Sequence, residues 1–380
     1  MSIPFNRAFV PIKALEYIKR TIACGKMAGD HEFTKKCHKW IEGRVKNKKV
    51  FLTTSCTHAL EIAALLINVK SGDEIIMPSY TFSSTANAFV LRGANIIFVD
   101  IRPDTMNIDE DLIERAITSR TKAIVPVHYA GVGCEMDAII SLKKKYNLYI
   151  IEDSAQGFMS TFNNKMLGTI GDMGCYSFHE TKNYHCGEGG AIALDDPSLI
   201  KAAEIIREKG TNRSQAFRGE TDKYTWQNVG SSYLPSDINA ALLYSQFEIA
   251  DQINENRLER WNFYYRNFQN LEKKGYIKLP KIPTNCRHNA HMFYIKTKNF
   301  GERAKLINHL KKRGIIAFFH YIPLHSSAAG VKYGVFCGQD RFTTIESEKI
   351  LRLPMYYGMP MSKIEHVYRA IREYFIRGAR

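Results

Sequence analysis

Leu148-Tyr149-Ile150-Ile151-Glu152-Asp153-Ser154-Ala155-Gln156 passes from apolar to acidic within one short stretch. An apolar run of this length, bounded by polar residues, reads as a buried strand that ends at Asp153. A second apolar run, residues 173–178, leads into Ser177-Phe178-His179-Glu180-Thr181-Lys182-Asn183. Working outward, residues 50–54, 74–77, 95–100 and 123–128 read as further short buried strands, beside 149–153 and 175–178. Residues 59–68, 85–92, 109–118 and 135–146 carry apolar side chains at helical spacing. This alternation predicts an α/β fold with a mostly parallel sheet covered by helices on both faces. In such sheets ligands bind beyond the carboxyl ends of the strands, where Asp153 and Lys182 both fall.

The pattern changes near residue 236. Residues 236–270 read as one long connecting helix. After Pro280 a smaller α+β unit follows, with strands at 292–297 and 317–321 and helices at 303–313 and 364–376. The expected organisation is an N-terminal arm and large domain over residues 1–245, then the connecting helix and a small C-terminal domain over 246–380. No internal repeat or low-complexity linker separates them.

A chain of 380 residues with 45% hydrophobic content can bury a large core. Its 8 cysteines form no CxxC pair and no signal peptide precedes them, so free thiols and a cytoplasmic location are expected. The longest apolar runs are too short for a membrane span, so no membrane insertion is expected. The net charge of +15 favours a polyanionic partner: nucleic acid, an acidic membrane surface or a phosphorylated small molecule. The basic residues form short clusters at 44–49, 143–145, 311–313 and 377–380. No helix-turn-helix, zinc-finger or RRM-type pattern accompanies them, so nucleic acid is not the expected partner.

An amine and a carboxylate at neighbouring strand ends suit pyridoxal phosphate (PLP). That cofactor needs an amine for a Schiff base and a carboxylate to keep its ring nitrogen protonated. Lys182 is the candidate amine and Asp153 the candidate carboxylate, against the ordinary readings of a surface lysine and a turn or cap residue. Between the first strand and its helix, Ser55, Cys56 and Thr57 stand where free backbone N–H groups hold an anion such as a phosphate. Their ordinary reading is a helix cap. Ser177 offers a second phosphate contact. Phe82 is placed to stack on the ring, or to be a core aromatic, and Gln156 to hydrogen-bond the cofactor's phenolic oxygen. Arg213 and Arg218, in a polar loop, are candidate pyrophosphate contacts, with a solvated surface as the alternative.

Residues 54–60, 80–85, 153–156, 177–183, the run Gly187-Glu188-Gly189-Gly190 and residues 320–325 together resemble the DegT/DnrJ/StrS sugar-nucleotide aminotransferases, over essentially the whole chain. Residues 77–82, 104–109, 126–131, 178–183 and 207–214 look specifically like the dTDP-4-amino-4,6-dideoxygalactose transaminases of that family. The resemblance implies PLP fold type I, with a mostly parallel seven-stranded sheet and a smaller α+β C-terminal domain. It implies a homodimer with shared active sites, L-glutamate as amino donor and a dTDP-ketosugar as acceptor. The implied reaction aminates C4 of dTDP-4-keto-6-deoxy-D-glucose to give dTDP-4-amino-4,6-dideoxy-D-galactose for enterobacterial common antigen or O-antigen. Amination at C3, or at C4 with gluco configuration, is the alternative. Many relatives reach the partner's phosphate with an Asn from the loop at 230–234; here Ser231, Ser232 or Tyr233 takes that place. Lys182, where dehydratases of this fold carry a His, argues for transamination.

Among rival readings, His288, His291, His320 and His325 invite a metal, but they lack the spacing of known sites, so no metal is expected and His320 and Tyr321 are assigned to the sugar pocket. Gly131-Val132-Gly133 lacks the third glycine of a dinucleotide fingerprint. A non-catalytic regulator of this family is disfavoured by the presence of both Lys182 and Asp153.

Overall fold

The computed structural model describes residues 2–46 and 48–377, so the end of the basic tail lies outside the described residues. Helices α1 (Lys13–Ala23) and α2 (Glu32–Val45) lead into the alternating region: β1 (Lys49–Thr53), α3 (Cys56–Leu66), β2 (Glu74–Pro78), α4 (Ser83–Val90), β3 (Asn95–Val99), β4 (Thr121–Ile124), α5 (Met136–Tyr146) and β5 (Tyr149–Asp153). A short hairpin, β6 (Thr161–Phe162) and β7 (Lys165–Met166), precedes β8 (Met173–Ser177) and β9 (Gly190–Leu194). Then come α6 (Pro197–Arg207), α7 (Arg213–Phe217), α8 (Asp237–Phe247), α9 (Ala250–Lys273), β10 (Cys286–Arg287), β11 (Phe293–Lys296) and α10 (Phe300–Lys312). The chain closes with α11 (Ala328–Tyr333), β12 (Gly334–Phe336), α12 (Thr343–Lys349), β13 (Ile350–Leu353) and α13 (Met361–Arg377).

The central sheet runs β1-β9-β8-β5-β4-β2-β3-β12. Only β9 is antiparallel to its neighbours. Helices cover the sheet, so β2, β8 and β9 are buried along their whole length, which is why their sequences are continuous apolar runs rather than alternating ones. The expected seven strands become eight, because β12 from the C-terminal region pairs with β3 at the edge. Strand β9 sits in the sheet without having been anticipated. Its Gly190 allows the close approach: a Cβ there would lie 2.4–2.6 Å from the backbone of Ser55 and Cys56.

Three elements differ from the sequence reading for identifiable reasons. Residues 109–118 form two 3₁₀ turns, Glu110–Leu112 and Glu114–Ala116, rather than one helix. The buried pair Ile113 and Ala116 is three apart, which a three-residue turn places on one side. The long helix at 236–270 is two helices. Helix α8 packs on α1 and α2, whereas α9 packs on α13 in a separate core, and the chain bends at Glu248–Ile249 to serve both. Residues 317–321 form no strand beyond a bridge between Phe318 and Arg352. Side chains take their carbonyls instead: Tyr80 donates to His320 and Arg352 to Phe319.

The second core gathers Tyr264, Phe268, Phe293, Leu306, Leu351 and Val367, and Ile3 from the N-terminal arm joins it. All eight cysteines are free thiols. No helix among the described residues is long and apolar enough to cross a membrane.

Candidate active site

Strands β5 and β8 are parallel neighbours with Asp153 opposite Cys175, so both open on the same edge of the sheet. Side chains alternate along a strand. Asp153 therefore faces the cavity while Glu152 points the other way, where it accepts from His128 Nε2 at 2.9 Å and from three backbone N–H groups. Beyond Ser177 the chain makes a turn in which Lys182 N donates to His179 O at 2.9 Å, and this brings Lys182 back over the end of β5.

The cavity has a volume of about 720 Å³. Ser55, Cys56, Thr57, Phe82, Asp153, Gln156, Ser177, Lys182, His320 and Tyr321 all line it, so these sequence-selected residues converge although they span most of the chain. Asp153 is buried and accepts from Thr85 Oγ1 at 2.7 Å and from Ala155 N at 3.1 Å. Lys182 is half-buried, and its amine has no hydrogen-bond or ion-pair partner among the described residues. Enclosure by protein lowers its pKa, against the raising effect of Cys56 and Asp153, and the charge of Arg352 lowers it further. Burial pushes the Cys56 thiol well up, with Asp153 and Cys175 adding to the shift.

At the start of α3 the Ser55 side chain takes the N–H of His58 at 3.1 Å. The N–H groups of Cys56 and Thr57, in the first turn, have no intrahelical acceptor. They stand at the cavity wall with the positive end of the helix dipole. Gln156 is oriented by its neighbours: Oε1 accepts from Ala130 N at 2.7 Å and Nε2 donates to Tyr321 OH at 3.1 Å. Phe82 is 58% exposed, so it is no core aromatic but a cavity-edge ring with its centroid 6.1 Å from that of Tyr321. His320 stacks on Tyr321 at 3.5 Å between centroids, and burial lowers its pKa so that the imidazole is neutral. Burial raises the Tyr321 phenol well above its usual range.

A profile of known aminotransferases matches residues 15–372. The chain belongs to the DegT/DnrJ/EryC1/StrS aminotransferase family. Similar proteins include an uncharacterised protein of Methanocaldococcus jannaschii, 34% identical over 90% of this chain and 89% of that protein. Another is the spore coat polysaccharide biosynthesis protein SpsC of Bacillus subtilis, 30% identical over 99% of this chain and 98% of SpsC. Among solved structures, S. venezuelae DesV, in complex with a ketimine intermediate, superposes with a TM-score of 0.88 at 26% identity and 98% coverage of both chains. The fold is that of the PLP aminotransferases of type I.

Arg213 and Arg218 are not brought to this family's cavity. Arg213 faces Glu208 at 3.6 Å and lies over the Phe217 ring; Arg218 is held by Glu204 and Glu220. Their charges are matched by nearby carboxylates within the same surface region. The cavity instead contains Arg257 and Arg352, which sequence reasoning missed, and His291, which it weighed only as a metal ligand. A signal existed for Arg257. It shares the α9 face of Ile253, Trp261 and Tyr264, all buried, so it was marked as inward by helical spacing. Arg352, between Leu351 and Leu353, follows strand alternation away from the small core. The four histidines do not cluster: His288 packs on Trp261, and His325 pairs with Asp340 at 3.2 Å.

Proposed function

We propose that this chain is a sugar-nucleotide aminotransferase that moves the amino group of L-glutamate to the C4 ketone of dTDP-4-keto-6-deoxy-D-glucose, giving dTDP-4-amino-4,6-dideoxy-D-galactose for a surface polysaccharide. The observation that carries the aminotransferase chemistry is the convergence of an amine, a buried carboxylate and a bare helix N-terminus on one cavity. That donor set fits the family's cofactor, PLP: Lys182 answers its aldehyde, Asp153 its ring nitrogen, and the first turn of α3 with Ser177 its phosphate. When bound, PLP supplies a ring that accepts electron density as a proton leaves carbon.

The side chains divide the remaining work. Lys182 Nζ, neutral over a wider pH range than a free lysine because its pKa is lowered, takes the proton from the donor's α-carbon and delivers a proton to C4 of the sugar. Asp153, fixed by Thr85 and Ala155, keeps the ring nitrogen protonated and needs no reorganisation to do so. The Gln156 amide, turned by Ala130 so that its N–H groups face Tyr321 and the cavity, would donate to the cofactor's phenolic oxygen. Phe82, at the cavity edge, would pack against the cofactor ring, and His320 and Tyr321 would orient the sugar. With PLP bound, Lys182 would reach the sugar C4 from one face only, which would favour the axial amine.

The acceptor rests on the sequence segments at 77–82, 104–109, 126–131, 178–183 and 207–214. Incubation with dTDP-4-keto-6-deoxyglucose and L-glutamate, followed by NMR, tests it. Small H3–H4 coupling with nitrogen on C4 is expected. Nitrogen on C3, or a large diaxial H4 coupling, overturns the acceptor assignment and leaves the cofactor chemistry standing.

A further inference from the structure

Behind the cavity wall, three side chains distant in sequence form a line of hydrogen bonds. Ser79 Oγ lies 2.7 Å from His325 Nδ1, and His325 Nε2 lies 3.2 Å from Asp340 Oδ2. A carboxylate only accepts, so Nε2 carries a proton; in the neutral ring Nδ1 is then an acceptor, and the Ser79 hydroxyl donates to it. The three residue types are those of a hydrolytic triad, but Ser79 is no nucleophile. It is fully buried away from the cavity wall, and its oxygen already accepts the His325 N–H at 3.1 Å.

Both ends of the line are anchored on the central sheet. Ser79 directly follows β2, and its N–H donates to Val99 O at 3.2 Å. Asp340 accepts the N–H and the hydroxyl of Thr344. The next three residues, Arg341, Phe342 and Thr343, give their N–H groups to Asp100 at the end of β3, at 2.8–3.0 Å. His325 therefore joins two loops that leave neighbouring parallel strands. Ser79 and the next residue, Tyr80, also hold both ends of the segment 320–325. Tyr80 OH donates to His320 O, and Leu324 N donates to Ser79 O at 2.9 Å. Within that span Tyr321 reaches the cavity, where its OH accepts from Gln156 Nε2. Backbone order costs entropy, so a segment fixed before a ligand arrives binds it more tightly than one ordered on binding.

We propose that His325 is a positioning residue: bridging Ser79 and Asp340, it pins the segment that presents His320 and Tyr321 to the acceptor sugar. This rests on the reading that those two side chains orient the sugar. Amide hydrogen exchange in the cofactor-free protein reads the pinning itself. Steady-state kinetics with dTDP-4-keto-6-deoxyglucose read its effect on the acceptor, and the cofactor's visible band after mixing with L-glutamate alone reads the donor half. In His325→Ala, exchange over residues 317–327 should quicken about tenfold or more while that of β8 stays as in wild type. The acceptor KM should rise about three- to tenfold, the scale of losing one or two hydrogen bonds, with the donor half unchanged. Ser79→Ala removes only a hydroxyl and carries the test if His325→Ala does not fold. It should give the same pattern to a smaller extent, and the double variant should be no worse than His325→Ala. Asp340→Asn, whose amide oxygen still accepts from Nε2–H, should keep most of the wild-type behaviour. Unchanged exchange in the folded variants overturns the inference, as does quickened exchange with the acceptor KM intact. A donor half slowed as much as the acceptor half also overturns it, because His325 would then support the fold in general. A wild-type enzyme that responds to glutamate but aminates no dTDP-ketosugar overturns the acceptor assignment instead, and the KM comparison is then made with the nucleotide sugar it does accept.

Discussion

Lys182 and Asp153 meet at the cavity from opposite requirements. The carboxylate is buried and held by two donors, whereas the amine is half-buried and unpartnered. Replacing Lys182 by Ala should leave a folded protein with no detectable turnover, because in the proposed mechanism one group serves both proton transfers; assays close to wild-type rates would remove Lys182 from the mechanism. Asp153→Asn keeps shape and loses charge. Its rate should fall on the order of 10²-fold or more, the scale of losing one preorganised electrostatic contact, with weaker effects on cofactor retention. Equal rates for the two proteins, read alongside the cofactor's absorbance, would make the carboxylate structural. The lowered pKa of Lys182 also has a stability consequence. Below its folded pKa the amine is charged in both states and enclosure penalises the fold; above the unfolded value of about 10.4 it is neutral in both and the penalty is gone. In the cofactor-free protein, Lys182→Met should therefore raise the thermal midpoint at pH 7, with the gain fading as the pH rises past about 10.4.

At the scale of elements, the end of β5 shows how strand alternation separates chemistry from architecture. Glu152 points away from the cavity and binds His128 Nε2 with the N–H groups of Gly168, Ile170 and Gly171, so it ties the approach to β8 onto β5. Burial raises its pKa, but the His128 bond and the backbone donors outweigh that and hold it below the usual range. A depressed folded pKa contributes stability above the unfolded value of about 4.3, and that contribution is lost as the pH falls through the folded value. Glu152→Gln sets an NH₂ against N–H donors, and denaturant titration at pH 7 should show a loss of about 1–3 kcal/mol. The gap between the two proteins should narrow below pH ~4; a constant gap would remove the charge from the account. Most elements were legible because their patterns are local: the buried strands are short apolar runs and α3, α4 and α5 carry helical spacing. The missed ones depend on partners distant in sequence. Strand β12 is a strand only because β3 offers it an edge, and residues 319–320 leave the ladder only because Arg352 and Tyr80 claim their carbonyls.

For the whole molecule we propose a homodimer. Ile12, Leu15, Phe217, Tyr224 and Trp226 are exposed by 93%, 64%, 72%, 57% and 80%, large apolar side chains that a second subunit would cover. Sedimentation should give twice the 43.5 kDa of one chain, and Trp226→Asp should shift the protein toward monomer. A monomer at micromolar concentration would leave that surface unexplained. The amino-acid sequence by itself determined the α/β class, the family and the ten residues it placed around the cavity, from Ser55 to Tyr321. Each of these is written in local order: an apolar run that ends in a functional group states both the strand and the side chain at its open end. Which arginines serve the cavity was decided only by the tertiary structure. Arg213 and Arg218 look like anion ligands in a polar loop, yet Glu208, Glu204 and Glu220 are folded against them. Arg352 looks like an interruption in a small-domain strand, yet packing of the two cores turns it into the cavity without a carboxylate. The charge of a residue is local information; whether that charge is already balanced depends on groups brought near it from elsewhere in the chain, and only the fold brings them.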